Sequence, residues 1–284
     1  MLSDAELNEV HLASLEILRR TGVRVYEPEA VDLLSAAGCE VADGSLVRFP
    51  ASVVEDALDA APSRVVMCDR TGEPRMLLEG SRSYFGTGSD LPNTRDLDTG
   101  ERRLSVLKDV QDTSRLVDAL PNLDFVMSMA LPSDVPVATS DRRSFLAMTE
   151  NSAKPIVFTA WDEVGLADII AMAETIAGGA AELALNPFLL AYLEPSSPLR
   201  HSQVVLRKML MMADHGLPFV YAPGPVPVAD TLTAWLAEGP AALAERAARA
   251  KALGRPNAAA EITEEIHVQA QRAPIRTHLG ARSK

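Results

Sequence analysis

Three carboxylates stand where an α/β protein usually places its chemistry. Asp90, Asp134 and Glu194 each follow a short apolar run that reads as a strand, at the C-terminal end of that run. In a β/α barrel those ends converge on one mouth, so the three acids could face a single substrate. Carboxylates there would suit a cation such as a quaternary ammonium. Taken one at a time, each is more ordinarily a solvated loop acid or a helix cap. Ser133 and Ser197 sit in Pro-Ser-Asp and Ser-Ser-Pro loops, where turn chemistry is the default explanation. Residues 194–201, EPSSPLRH, form a stiff loop whose path is fixed by its prolines. Arg200 and His201 could bind an anion or donate hydrogen bonds there. His201 is more commonly an early helix residue with no special role.

A glycine loop precedes the first of these acids. Gly86, Thr87, Gly88 and Ser89 run directly into Asp90. No Gly-Lys-Ser/Thr follows, so this is not a Walker loop. A hairpin rather than a helix comes next, which also sets it apart from a dinucleotide fingerprint. A tight turn at a strand end explains the glycines about as well as ligand approach does.

Other chemistries are absent. His11, His201, His215, His267 and His278 are scattered, with no HExxH or Cys/His cluster, so no zinc is expected. There is no Gly-x-Ser-x-Gly elbow, and no Ser-His-Asp set stands out. Cys39 and Cys68 lie far apart in unrelated contexts, which fits a reducing cytoplasm rather than a disulfide framework. The net charge of −12 argues against nucleic acid or an anionic membrane as the main partner. No apolar run is long enough to span a bilayer. The chain opens on a polar amphipathic helix, so no secretory signal is visible.

The elements that must position these residues fall into three parts. Residues 1–82 read as a small α+β lead-in. It comprises a helix over 3–20 capped by Ser3 with Glu6, a helix over 28–37, a hairpin turning at Asp43-Gly44, a helix over 51–60, and short strands at 65–68 and 76–78. Residues 83–225 alternate strictly. Strands are expected at 84–85, 124–128, 155–159, 188–193 and 218–221, with helices at 106–120, 139–151, 163–176 and 202–215 between them. The strands are continuous apolar runs, as in a parallel sheet covered on both faces. Asp98-Thr99-Gly100 turns a small hairpin, and Ser105 is placed to cap the following helix. Met209, Met211 and Met212 are expected to pack their helix against the sheet. Residues 226–284 read as an alanine-rich helical tail, with helices at 231–253 and 258–271. About five strands are too few for an eight-stranded barrel, so the fold expected is α/β: a partial TIM-type (β/α) barrel with an N-terminal α+β extension.

Seven stretches, in order, carry a family resemblance: HLASLEILRRTGVRV (11–25), FPASVVEDALDAAPSRVVMCDR (49–70), YFGTGSDLPNTRDLDTGERR (84–103), DALPNLDFV (118–126), PSDVP (132–136), AKPIVFTA (153–160) and SSPLRHS (196–202). They cover about the first 225 residues, and on them the sequence resembles the corrinoid-dependent trimethylamine methyltransferase family, which includes glycine betaine methyltransferases. The resemblance implies a TIM barrel behind an α+β extension. It implies transfer of a methyl group from a methylated amine to the cobalt of a corrinoid held by a separate small protein, with no zinc. A cob(I) nucleophile attacks the methyl carbon, while the enzyme holds the cationic amine, orients it and excludes water. Asp90, Ser133, Asp134, Glu194, Ser197 and His201 are then the expected substrate face. The loop of Gly86, Thr87, Gly88 and Ser89 is the expected corrinoid face. The family continues past the PGP segment into further β/α units, where this chain has its alanine-rich tail. The alternative from another class is a shortened, non-catalytic homologue acting through self-association or partner binding. A weaker third reading is an unrelated barrel lyase or phosphate-binding enzyme, and no glycine loop opens onto a helix N-terminus to support the phosphate version.

Overall fold

A computed structural model describes residues 3–196 and 199–222. The chain begins with α1 (Asp4–Arg20), where Ser3 and Glu6 form the expected reciprocal cap. Then come β1 (Val23–Val25), α2 (Pro28–Ala36), β2 (Glu40–Ala42), β3 (Leu46–Arg48) and α3 (Ala51–Ala60). Asp43 and Gly44 both adopt positive φ, 51° and 68°, in the three-residue connection between paired Ala42 and Leu46 that turns β2 into β3. β4 (Val65–Cys68) and β5 (Pro74–Leu78) make a second antiparallel pair, and β6 (Asn93–Arg95) and β7 (Arg102–Leu104) a third.

From α4 (Leu107–Ala119) the alternation takes over: α5 (Ser140–Asn151), β8 (Ile156–Phe158), α6 (Glu163–Ala177), α7 (Ala180–Leu185), β9 (Leu189–Leu193), β10 (Arg200–His201), α8 (Gln203–Asp214) and β11 (Phe219–Tyr221). A short 3₁₀ turn, Val137–Thr139, leads into α5. β8, β9 and β11 form a parallel sheet in the order β11-β9-β8. Parallel bridges extend that order outward, from Ile156 to Val126 and from Phe125 to Gly86. Five chain segments thus lie side by side in sequence order. The architecture is α/β, and among the described residues no sheet closes into a barrel.

The two outer segments are not regular strands, although apolar runs at 84–85 and 124–128 predict them. The reason is local. The Thr87 hydroxyl accepts from the Met127 amide at 2.8 Å and donates to the Met127 carbonyl at 3.0 Å, so a side chain stands in the ladder where backbone would be. Asp90 and Met129 then bend the two segments with φ of +58° and +57°.

Twenty buried side chains between this sheet and α4, α5, α6 and α8 make the main core. Phe145 meets Phe158 edge-on with centroids 5.6 Å apart, an arrangement worth roughly 0.5–1.5 kcal/mol beyond burial. Met212 is buried, with Met209 and Met211 packed partly against the same core, as expected. Two helices bury fewer apolar residues than their sequences offer. α4 turns Val110, Ser114 and Val117 inward, a clean i, i+4, i+7 stripe, and leaves Leu116 exposed. α1 buries Leu15, but its first turns leave Leu7 and Val10 exposed. Ser105 does not cap α4 either. It is buried and bonds Thr94 and the Leu91 carbonyl, while the first amides of α4 are taken by Asp109 and Asp134.

β10, unforeseen in the sequence, pairs in parallel with β1 and completes the four-stranded sheet β10-β1-β3-β2. The sheet of the N-terminal portion therefore includes two residues from far along the chain. The expected tail over 226–284, with its helices at 231–253 and 258–271, lies outside the described residues, as does Ser197. No described helix is long and apolar enough to cross a membrane.

Candidate functional site

The segments that carry Asp90, Thr159 and Glu194 end on the same side of the parallel sheet, because neighbouring parallel strands point one way. Between those ends and the helices α5 and α8 lies a cleft of about 520 Å³. Ser89, Asp90 and Glu194, all singled out in the sequence, line it.

Asp90 is held by hydroxyls. Its Oδ2 accepts from Thr159 Oγ1 at 3.0 Å, and its amide meets Ser128 Oγ at 3.3 Å. A non-glycine residue at φ +58° costs on the order of 1 kcal/mol, so its neighbours must hold it there. Among the described residues no Arg, Lys or His nitrogen comes within 4.0 Å of it. The carboxylate is therefore fixed in place, and no described cation pairs with it. Glu194, one residue past β9, accepts from Tyr192 Oη at 3.0 Å. That hydrogen bond, with burial and the negative charge behind it, pushes the Tyr192 phenol pKa up and keeps it a donor.

The cleft also holds residues that the sequence did not flag. Asp141, in the first turn of α5, is buried. Its Oδ2 accepts from the Trp161 amide at 3.1 Å and its Oδ1 from the Arg142 amide at 2.8 Å. Gly165 makes room for it, since a Cβ there would stand 2.4 Å from Asp141 Oδ2. Trp161 is half exposed, and its indole donates to Ser140 Oγ at 2.9 Å, which sets the angle of the ring. Lys208 of α8 is buried on the wall of the same cleft and donates to the Ala160 carbonyl at 2.7 Å. Burial pushes its ammonium pKa down, against the pull of Glu163, Asp162 and Asp141. The signal for Trp161 and Asp141 was within reach: Trp161 follows the β8 run just as Glu194 follows β9.

The remaining predicted residues lie elsewhere. Asp134 Oδ1 accepts the Leu107 amide at 2.8 Å and works as a cap on α4. Ser133 bonds the Ser105 carbonyl through both its amide and its hydroxyl, stapling one loop to another. Neither lines the cleft. His201 belongs to β10, where its ring stacks on Tyr221 at 5.7 Å between centroids and Nδ1 meets the Tyr221 hydroxyl. Burial pushes the His201 pKa down and that of Tyr221 up to about 12, so neither group is charged at neutral pH. Both line a separate apolar pocket of about 360 Å³ against β1, α2 and α8.

The glycine loop divides. Gly86 is structural, because a Cβ there would stand 2.4 Å from the Phe125 ring and 2.6 Å from its carbonyl oxygen. Gly88 is exposed, and a Cβ there would meet nothing within 4 Å. The backbone beside Ser89 is thus open to the approach of a flat surface. Among the described residues no group of three or more His, Cys, Asp or Glu could hold a metal ion.

Chemically, this is a walled cleft with two presented carboxylates, an indole and a phenol, a set that suits an alkylated cation. The family model described as trimethylamine methyltransferase (MTTB) matches residues 1–267. The chain is 28% identical over 199 residues to a trimethylamine methyltransferase of Desulfitobacterium hafniense, covering 70% of this chain and 40% of that one. It is 25% identical over 247 residues to a glycine betaine methyltransferase of the same species, covering 84% and 51%. A trimethylamine methyltransferase of Methanosarcina barkeri is 30% identical over 227 residues, covering 75% and 44%. The chain spans about half, or less, of the length of these curated relatives. With the family model running through all of the described residues, the chain belongs to the trimethylamine methyltransferase family.

Proposed function

We propose that this protein moves a methyl group from a tertiary or quaternary amine to a corrinoid carried by a partner protein, in the cytoplasm. The observation that carries the reading is Asp90, a carboxylate fixed in a strained backbone position at the cleft, whose side-chain partners among the described residues are hydroxyls. A reduced corrinoid supplies the cobalt nucleophile that takes the methyl group. The open backbone at Gly88 and Ser89 is where such a group would be met.

This chain's own residues bind and orient. Asp90 and Glu194 attract the ammonium, and the Trp161 face adds a cation–π contact worth roughly 0.5–2 kcal/mol. The positive charge leaves the nitrogen as the methyl departs. The carboxylates therefore act mainly on affinity, and the rate must come from orientation and excluded water. In this reading the five side-by-side segments are the first part of a (β/α) barrel, with residues 1–82 as its extension.

The test is to mix the chain with cob(I)alamin and a panel of methylated amines and follow methylation of the corrinoid by absorbance. Conversion is expected with at least one amine. None, from a protein that melts cooperatively, rules the activity out. A second reading is a non-catalytic relative acting through self-association or partner binding. It draws on the parallel sheet, whose β11 has no further neighbour among the described residues. A stable monomer whose mass does not change with concentration argues against it.

A further inference from the structure

Among the described residues nothing covers an apolar stripe on α1. Leu7, Val10 and Ile17 are 52%, 58% and 49% exposed. With Ser14 they follow one another at intervals of three, four and three residues, the heptad spacing of a helix that packs along another helix. Ser14 does not break the stripe, because its hydroxyl is already bonded to the Val10 carbonyl at 2.8 Å. The helix is attached to the rest of the chain by the adjoining face. There Leu15 is buried, Leu18 packs on the core around Val23 and Val47, and His11 bonds Glu55 of α3 at 2.8 Å. The opposite flank of the stripe carries Glu6, Ala13 and Arg20, spaced by seven residues and all exposed.

We infer that α1 pairs antiparallel with α1 of a second copy of this chain, about a two-fold axis at the middle of the helix. The occupant follows from self-complementarity, which such an axis demands. Leu7 of one copy then lies over Ile17 of the other, and Val10 over Ser14. On the outer flank Glu6 meets the second copy's Arg20, twice by symmetry, and the small Ala13 sits near the axis between the two ion pairs. Both ions are available. Glu6 commits only Oε2 to its Ser3 cap, and Arg20 has one contact, to Glu16 at 3.6 Å, with its side chain 72% exposed. A parallel pair would instead set the acidic first turns, with Asp4, Glu6 and Glu9, against each other, so charge selects the antiparallel one. The pairing surface is one helix of 17 residues, about 25 Å long, which puts the interface at the small, reversible end of the range, below roughly 1,200 Å² in total. The pairing is independent of the amine site and uses a different surface from the open side of β11.

The test is sedimentation equilibrium of the full chain over roughly 1–500 µM. Wild type is expected to pass from monomer to dimer within that range. Val10→Glu buries a charge in each half of the seam and should raise the dissociation constant at least about tenfold. Leu7→Lys, at the outer end of the stripe, should act in the same direction. Arg20→Glu sets two glutamates against each other on each flank and should raise the constant about threefold or more, whereas Arg20→Lys should leave it near the wild-type value. Melting curves establish that each variant is folded, as exposed positions allow. A wild type that stays monomeric overturns the inference, and a loss of stability in Val10→Glu would then mean that the stripe is covered within one chain. A dimer that survives both Val10→Glu and Leu7→Lys also overturns it, because association then uses another surface. If Arg20→Glu pairs as tightly as wild type, the antiparallel arrangement falls.

Discussion

Two kinds of carboxylate stand apart in this protein. Asp69 and Asp109, away from the cleft, are fully engaged. Asp69, in the turn between β4 and β5, accepts from Thr71, Glu73 and Arg75, and Asp109 is gripped by both terminal nitrogens of Arg103 at 2.8 Å. Asp90, at the cleft, has only hydroxyls as side-chain partners among the described residues. Peripheral acids shape turns and helix ends by consuming their own charge. Asp90 is held just as firmly, but its charge remains available. Rigid placement without neutralisation is what a site for an external cation requires.

Four experiments would break or sharpen that contrast. The largest effect is expected from Asp69→Ala, which strips a buried turn of its acceptor. It should cost about 2–4 kcal/mol by urea unfolding and leave the amine affinity of the folded fraction intact. Next is Gly165→Ala, whose new methyl group collides with Asp141. A loss of roughly 1–3 kcal/mol is expected, with a shift in Trp161 emission because Asp141 holds the Trp161 amide. Asp90→Gly should go the other way. It relieves the left-handed strain and gains up to about 1 kcal/mol in stability, yet weakens tetramethylammonium binding tenfold or more. A variant that lost stability as well would place Asp90 with the structural acids.

The smallest effect is in pH. The Arg103 hydrogen bonds hold the Asp109 carboxyl below the ordinary carboxylate range. The unfolded chain therefore takes up this proton first as pH falls. The stability contributed by the pair is fully present above the unfolded value of about 3.9, and is lost as pH drops through the lower folded value. Asp109→Asn should flatten that part of the acid melting profile, and an unchanged profile would show that the pair contributes nothing.

Much of the architecture was legible in the sequence because its signals are local. Ser3 with Glu6, Asp43-Gly44, Asp162 and Gly178 each act within a few residues of themselves, and each does what its type predicts. The alternation of β8, α6, β9, α8 and β11 was legible for the same reason. The site was only partly so. Asp90 and Glu194 stand at strand ends and were found by that rule. Asp134 obeys the same rule but was claimed by a helix amide 27 residues earlier, and no local pattern encodes that. Lys208 escaped notice because a lysine on an amphipathic helix normally faces water. Only the packed structure shows it turned inward. β10 is two residues long, too short for any periodicity, and exists because β1 offers it an edge.

That last pairing bears on how the protein comes into being. Arg24 lies opposite Arg200, and its amide hydrogen bond is to the Leu199 carbonyl. During synthesis the first sheet emerges early, but one edge of it stays bare until residue 200 has left the ribosome. A contact so distant in sequence forms slowly, and a bare edge is open to wrong partners in the interval. Arg24, a charge at the middle of the three-residue β1, makes that bare edge a poor template for another strand until β10 arrives to cover it.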